Sequence, residues 1–168
     1  MTERIDMGGG LVLEPSTDGD FEEVYERIRD WDLEECRCAA PKEPKEKLGL
    51  FERCWSIVLG GELLGFVGFV VRPDHSPLSR ERYVSCITTR SVWRHPKEYV
   101  RRSKEVLAAV SRREPPWVEK YVTATLTAYE GAIKWEKRIL GFRETAHVEI
   151  GGRDHTMLEI TRREAENG

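Results

Sequence analysis

The sequence predicts an α/β (α+β) fold of about seven strands in a single domain. Three observations carry this. The apolar period switches from helical to two-residue spacing and back along the chain. Two glycine pairs, Gly60-Gly61 and Gly151-Gly152, separate strand-like runs as hairpin turns do. Prolines and a single glycine mark the edges of two later helices. At 168 residues, with 39% hydrophobic and 34% charged residues, the chain can bury one ordinary core.

The elements follow in order. Residues 1–10 form a flexible lead containing Gly8-Gly9-Gly10, residues 11–161 the domain, and residues 162–168 a charged, frayed tail. Leu11 to Glu14 is a short strand ended by Pro15. Ser16, Thr17 and Asp18 are all competent helix caps. Phe21, Val24, Tyr25 and Ile28 then recur at amphipathic helical spacing. Trp31 to Cys38 continues as a second short helix, and Pro41 to Lys47 is a surface loop. Phe51 to Leu59 and Leu63 to Val71 make a hairpin whose second strand is apolar on both faces, as in a covered sheet. Arg72 to Arg80 is a loop, Tyr83 to Thr89 a strand, and Pro96 opens a helix that Pro115-Pro116 breaks. Val118 to Ala128 is the fifth strand. A last helix from Glu130 to about Ile139 stops near Gly141. Glu144–Ile150 and Arg153–Ile160 close the domain as a hairpin.

Bulk properties exclude some classes. A formal net charge of −3 argues against nucleic-acid binding, which depends on neutralising phosphates. No apolar run approaches the roughly 20 residues that span a bilayer, and the first residues lack the apolar centre of a secretory signal. The expectation is a cytoplasmic protein without membrane contact. The four cysteines, Cys36, Cys38, Cys54 and Cys86, match neither a disulfide scaffold nor zinc-ligand spacing, so no metal is expected.

The element order, together with the run Ala132 to Glu144 containing Leu140-Gly141-Phe142 and the closing stretch Gly151 to Glu159, resembles the GNAT N-acyltransferase superfamily. The resemblance spans about Leu11 to Thr161. It implies a mixed, mostly antiparallel central sheet with helices on both faces. It implies acetyl-CoA or another acyl-CoA as co-substrate and an amine acceptor attacking the thioester directly. In that family pantetheine pairs with the fourth strand, a role that falls here on Cys86, Ile87, Thr88 and Thr89. More loosely, Trp93 to Glu98 and Ile133-Lys134-Trp135 are similar to GNAT-like proteins of tailed phages and prophages. That likeness implies a binding or virion-assembly role without catalysis, with a phage protein as partner; a homodimer is the other partner expected.

The family binds pyrophosphate on a glycine-rich turn at a helix start. Here the matching stretch, Arg90 to Glu98, has no glycine; Pro96 lacks an N–H and Glu98 adds negative charge. Losing two or three charge-assisted bonds of roughly 1.5–3 kcal/mol each would weaken binding by about two to six powers of ten. Arg94, Lys97, Arg101 and Arg102 either offset this as phosphate-binding cations or are solvated helix charges. For proton transfer the resemblance offers Glu130 and Tyr129. Glu130 is either a base or a first-turn helix charge, and Tyr129 either reaches the reacting groups or closes the core. The family's late-helix tyrosine position holds Lys137, with Trp135 and Glu136 nearby. Cys86 is read as a small core residue, His95 as part of the helix start, and His147 and His155 as facing each other across the hairpin.

Overall fold

The computed structural model describes residues 2–28, 51–70, 76 and 78–167. The expected helix at Trp31–Cys38, the loop at Pro41–Lys47 and most of the loop at Arg72–Arg80 lie outside the described residues. Among the described residues eight strands, against the expected about seven, form one sheet: β1 Ile5–Asp6, β2 Leu11–Pro15, β3 Phe51–Leu59, β4 Glu62–Val70, β5 Glu81–Thr88, β6 Lys120–Leu126, β7 Arg143–Ile150 and β8 Arg153–Thr161. Their order is β1-β2-β3-β4-β5-β6-β8-β7. The sheet is mixed and mostly antiparallel, with β5 and β6 parallel. The described helices are α1 Asp18–Glu26, α2 Pro96–Ser111, α3 Glu130–Trp135 and α4 Arg162–Glu166. No described helix is long and apolar enough to cross a membrane.

The chain falls into two compact units, Met1–Val71 with Val84–Pro96, and Arg72–Tyr83 with Lys97–Gly168. In the first unit Thr17 caps α1, accepting from the Asp20 N–H while Asp20 reaches back to Thr17, a complete capping box. This places Phe21, Val24 and Ile28 against Cys54, Leu63, Phe66 and Ile87 as a buried cluster. Phe21 stacks on Phe66 with ring centroids 4.8 Å apart. The other face of the hairpin buries Trp55 against Phe69, edge to face at 6.3 Å.

The N-terminal lead is more ordered than its glycines suggest. Ile5 and Asp6 pair with Leu13 and Val12, because Gly8, Gly9 and Gly10 all adopt positive φ and turn the chain back. The extra strand is the reason the sheet has eight members. The tail is likewise structured: Thr161 and Glu164 form a second capping box that starts α4. The Thr161 cap is short-range and polar, so hydrophobic periodicity does not register it.

In the second unit the pairing of Glu81, Arg82 and Tyr83 with Lys120, Tyr121 and Val122 begins the parallel step. Tyr121 is wholly buried and donates to the Ser111 carbonyl at 3.2 Å, tying β6 to the end of α2. The late helix is α-helical only to Trp135 and then widens into a π turn over Glu136–Leu140. Gly141 closes it at φ 87°, ψ 15°, the left-handed cap the sequence predicts.

Cys54 illustrates how the core suppresses thiol chemistry. Burial pushes its pKa up to about 12, against a weaker opposing hydrogen bond from Ser16. Native Cys54 should therefore resist a thiol reagent at pH 8 and react on unfolding, while half-buried Cys86 reacts sooner. Peptide-resolved mass spectrometry reads this directly, and prompt native labelling of Cys54 would contradict the packing. Because the folded pKa lies above the unfolded value of 9.0, this thiol's contribution is full below pH 9 and is lost as pH rises towards 12.

Candidate functional site

The candidate pantetheine residues lie at the end of β5. Ile87, Thr88 and Thr89 are all buried, and the Ile87 side chain belongs to the α1 core cluster. The Thr89 N–H donates to the Leu64 carbonyl at 2.8 Å. Its hydroxyl accepts from the Ser91 N–H and so caps the following turn.

That turn, Arg90–Arg94, is a closed 3₁₀ turn. The Arg90 N–H donates to the Arg27 carbonyl at 2.8 Å, the Val92 N–H to Thr89 at 3.2 Å, and the His95 N–H to Val92 at 3.1 Å. Together with Ser91, four backbone donors of the stretch are thus engaged inside the protein. A glycine-rich phosphate turn leaves such donors facing its ligand. The turn closes here because Thr89 supplies the cap and no glycine opens the backbone.

Three basic side chains around the turn converge on one carboxylate. Arg94 binds Glu62 Oε1, Arg27 Nη2 lies 3.3 Å from the same oxygen, and His95 Nε2 lies 3.0 Å from Glu62 Oε2. Arg27 and Arg94 both also donate to the Ser91 hydroxyl. Sequence reading missed Glu62, Arg27 and Ser91. Glu62 lies 32 residues from Arg94, at the start of β4, and no local spacing announces such a pair.

On α2, Arg101 pairs with Glu98 at 2.7 Å, and Arg102 with Glu105 at 2.5 Å and Glu98 at 3.5 Å. The Arg101 hydrogen bond holds the half-buried Glu98 carboxyl below the usual carboxylate range. Arg102 is buried while it pairs with these two carboxylates of its own helix. Lys97 is exposed at the helix start.

The late helix separates the proton-transfer candidates. Tyr129 is half-buried at the N-cap, its carbonyl accepting from the Ala132 and Ile133 N–H groups. The Glu130 side chain is 78% exposed and pairs with Lys134 one turn on, the arrangement of a first-turn helix charge. Lys137 bonds Glu144 at 2.9 Å. The buried carboxylate on this helix is Glu136, both of whose oxygens lie 2.9 Å from the Thr125 hydroxyl of β6. Beside it in sequence, the Trp135 ring stacks on Tyr99 of α2, and among the described residues its buried Nε1 has no hydrogen-bond partner.

The two hairpin histidines do not face each other. His147 registers with Thr156 and Val148 with His155, so the two rings lie on opposite faces of the sheet. A one-residue offset in register produces this. His155 is buried with Nδ1 2.9 Å from the Arg153 carbonyl, whereas His147 is exposed beside Glu144.

No protein-family model matches the sequence, and no curated protein matches it. Solved structures do match. RimL, the ribosomal L7/L12 alpha-N-protein acetyltransferase in complex with coenzyme A, is 12% identical at a TM-score of 0.65, over 95% of this chain and 98% of that one. Spermidine N-acetyltransferase from Vibrio cholerae, in complex with coenzyme A and spermine, is 15% identical at 0.64, over 93% of this chain and 98% of that one. The chain therefore has the GNAT acetyltransferase fold.

Proposed function

We propose that this chain, built on the GNAT fold, is an acyl-CoA-dependent N-acyltransferase of the cytoplasm. The observation that supports it most is the extent of the likeness: 95% and 93% of the chain follow two N-acetyltransferases solved with coenzyme A. In this reading an amine attacks the thioester carbonyl, a C–N bond forms and the C–S bond breaks. The thiolate gains a proton and the ammonium loses one. Backbone groups of Ile87 and Thr88 hold pantetheine, while Thr89 has its N–H on Leu64. Arg94 and Lys97 meet the phosphates as cations in place of a glycine turn. Tyr129 and Glu130 are the proton carriers the reading offers. Glu130, solvated and ion-paired, is the weaker of the two.

Calorimetric titration with acetyl-CoA and desulfo-CoA, followed by thiol release across an amine panel, tests the reading. Binding with amine-dependent thiol release supports it. The double variant Arg94→Ala, Lys97→Ala is expected to weaken coenzyme A binding at least about tenfold, and an unchanged dissociation constant would remove these residues from the site.

The closed 3₁₀ turn supports a second reading, a GNAT-shaped binding or assembly protein that has given up coenzyme A. Absence of binding at millimolar ligand would favour it. A phage protein or a second copy of the chain is the partner that reading carries.

A further inference from the structure

We propose that the Glu62 carboxylate is an internal occupant of an anion site, and that a diphosphate-bearing ligand binds by displacing it. The proposal rests on the acyl-CoA reading for its natural ligand, but its geometry stands apart from that reading. Both carboxylate oxygens are engaged: Oε1 by Arg94 and, at 3.3 Å, by Arg27, and Oε2 by His95 at 3.0 Å. The Ser91 hydroxyl links the two guanidinium groups, at 3.1 Å from Arg94 Nη2.

Two guanidinium forks, an imidazole and a hydroxyl around one point form the donor set that binds phosphate oxygens. These donors come from the end of α1, the 3₁₀ turn and the residue before α2, whereas the carboxylate comes from β4. The cluster is therefore not a local pair of one helix surface. It also remains open to a ligand, since the side chains of Arg94 and Glu62 are 65% and 24% exposed. A partly exposed ion pair is weakly held and screened by salt, so an anion carrying several charges can compete with it. The closed turn offers few backbone donors, which leaves these side chains as the means of holding phosphate.

The test is calorimetry with inorganic pyrophosphate, and separately with coenzyme A, on wild type, Glu62→Gln and Glu62→Ala, with circular dichroism to confirm folding. Each variant is expected to bind pyrophosphate at least about tenfold more tightly than wild type, and adding Arg94→Ala should abolish the gain. Equal or weaker pyrophosphate binding by a folded variant overturns the proposal. Unfolding of both variants makes Glu62 a structural tie and also overturns it. If pyrophosphate gains affinity while coenzyme A binds neither protein, the internal anion stands and the acyl-CoA reading falls. If coenzyme A binds wild type and neither ligand gains from the substitutions, the reading stands and the internal anion falls.

Discussion

Gly65→Ala is expected to destabilise the chain by roughly 2–5 kcal/mol, the sum of backbone strain and overpacking. Gly65 sits in β4 at φ 154°, beside the register shift between Ile57 and Val58 of β3. A Cβ there would lie 2.2 Å from the Ile87 carbonyl oxygen and 2.7 Å from Thr88 Cα, both backbone atoms that cannot swing aside as a side chain does. At about 2–4 °C per kcal/mol for this size of chain, the melting temperature should fall by roughly 5–20 °C. A thermal melt or urea titration reads this, and a midpoint within a degree of wild type would contradict the close approach. The residues approached are the candidate pantetheine strand. The same glycine that lets β4 meet β5 therefore fixes where Ile87 and Thr88 stand.

Glu114→Gln is expected to cost about 3–5 kcal/mol, the penalty for removing the carboxylate charge that faces a buried guanidinium. Glu114 and Arg82 have side chains only 2% and 6% exposed, with Arg82 Nε 3.1 Å from Glu114 Oε2. Arg82 also donates to the Ser79 carbonyl at 2.8 Å, so the guanidinium is held on more than one side. Replacing both members, as in Arg82→Met with Glu114→Leu, should recover most of the loss, because an apolar pair avoids the desolvation of two charges. Denaturant titration of the single and double variants forms the cycle. A single variant as stable as wild type would show that the pair contributes nothing net to this unit.

Some of these features were readable from residue order. The Gly60-Gly61 and Gly151-Gly152 hairpins, Pro96 at the start of α2 and Gly141 at the end of the late helix all rest on local backbone chemistry. The structure places each as expected. The absence of glycine between Arg90 and Glu98 was equally visible, and the closed 3₁₀ turn is its structural counterpart. Residues 1–10 were misjudged, since a two-residue strand has no period to detect and exists because β2 pairs with it. His147 and His155 do not face each other because the two-residue Gly151-Gly152 turn pairs Ile150 with Arg153, which sets His155 opposite Val148 and His147 opposite Thr156.

The candidate site divides along the same line. The sequence by itself determined the order of strands and helices and the basic, glycine-free character of the stretch after β5, because periodicity, caps and composition are local properties. Only the tertiary structure decided which partners those cations hold. Arg94, His95 and Arg27 all meet Glu62 through the adjacency of β4, α1 and the turn. Glu136 became the buried carboxylate of the late helix because the Thr125 hydroxyl lies beneath it, while Glu130, one residue past the cap, stayed in water. Long-range pairing sets burial and charge neutralisation, and neither is encoded in the spacing of neighbouring residues.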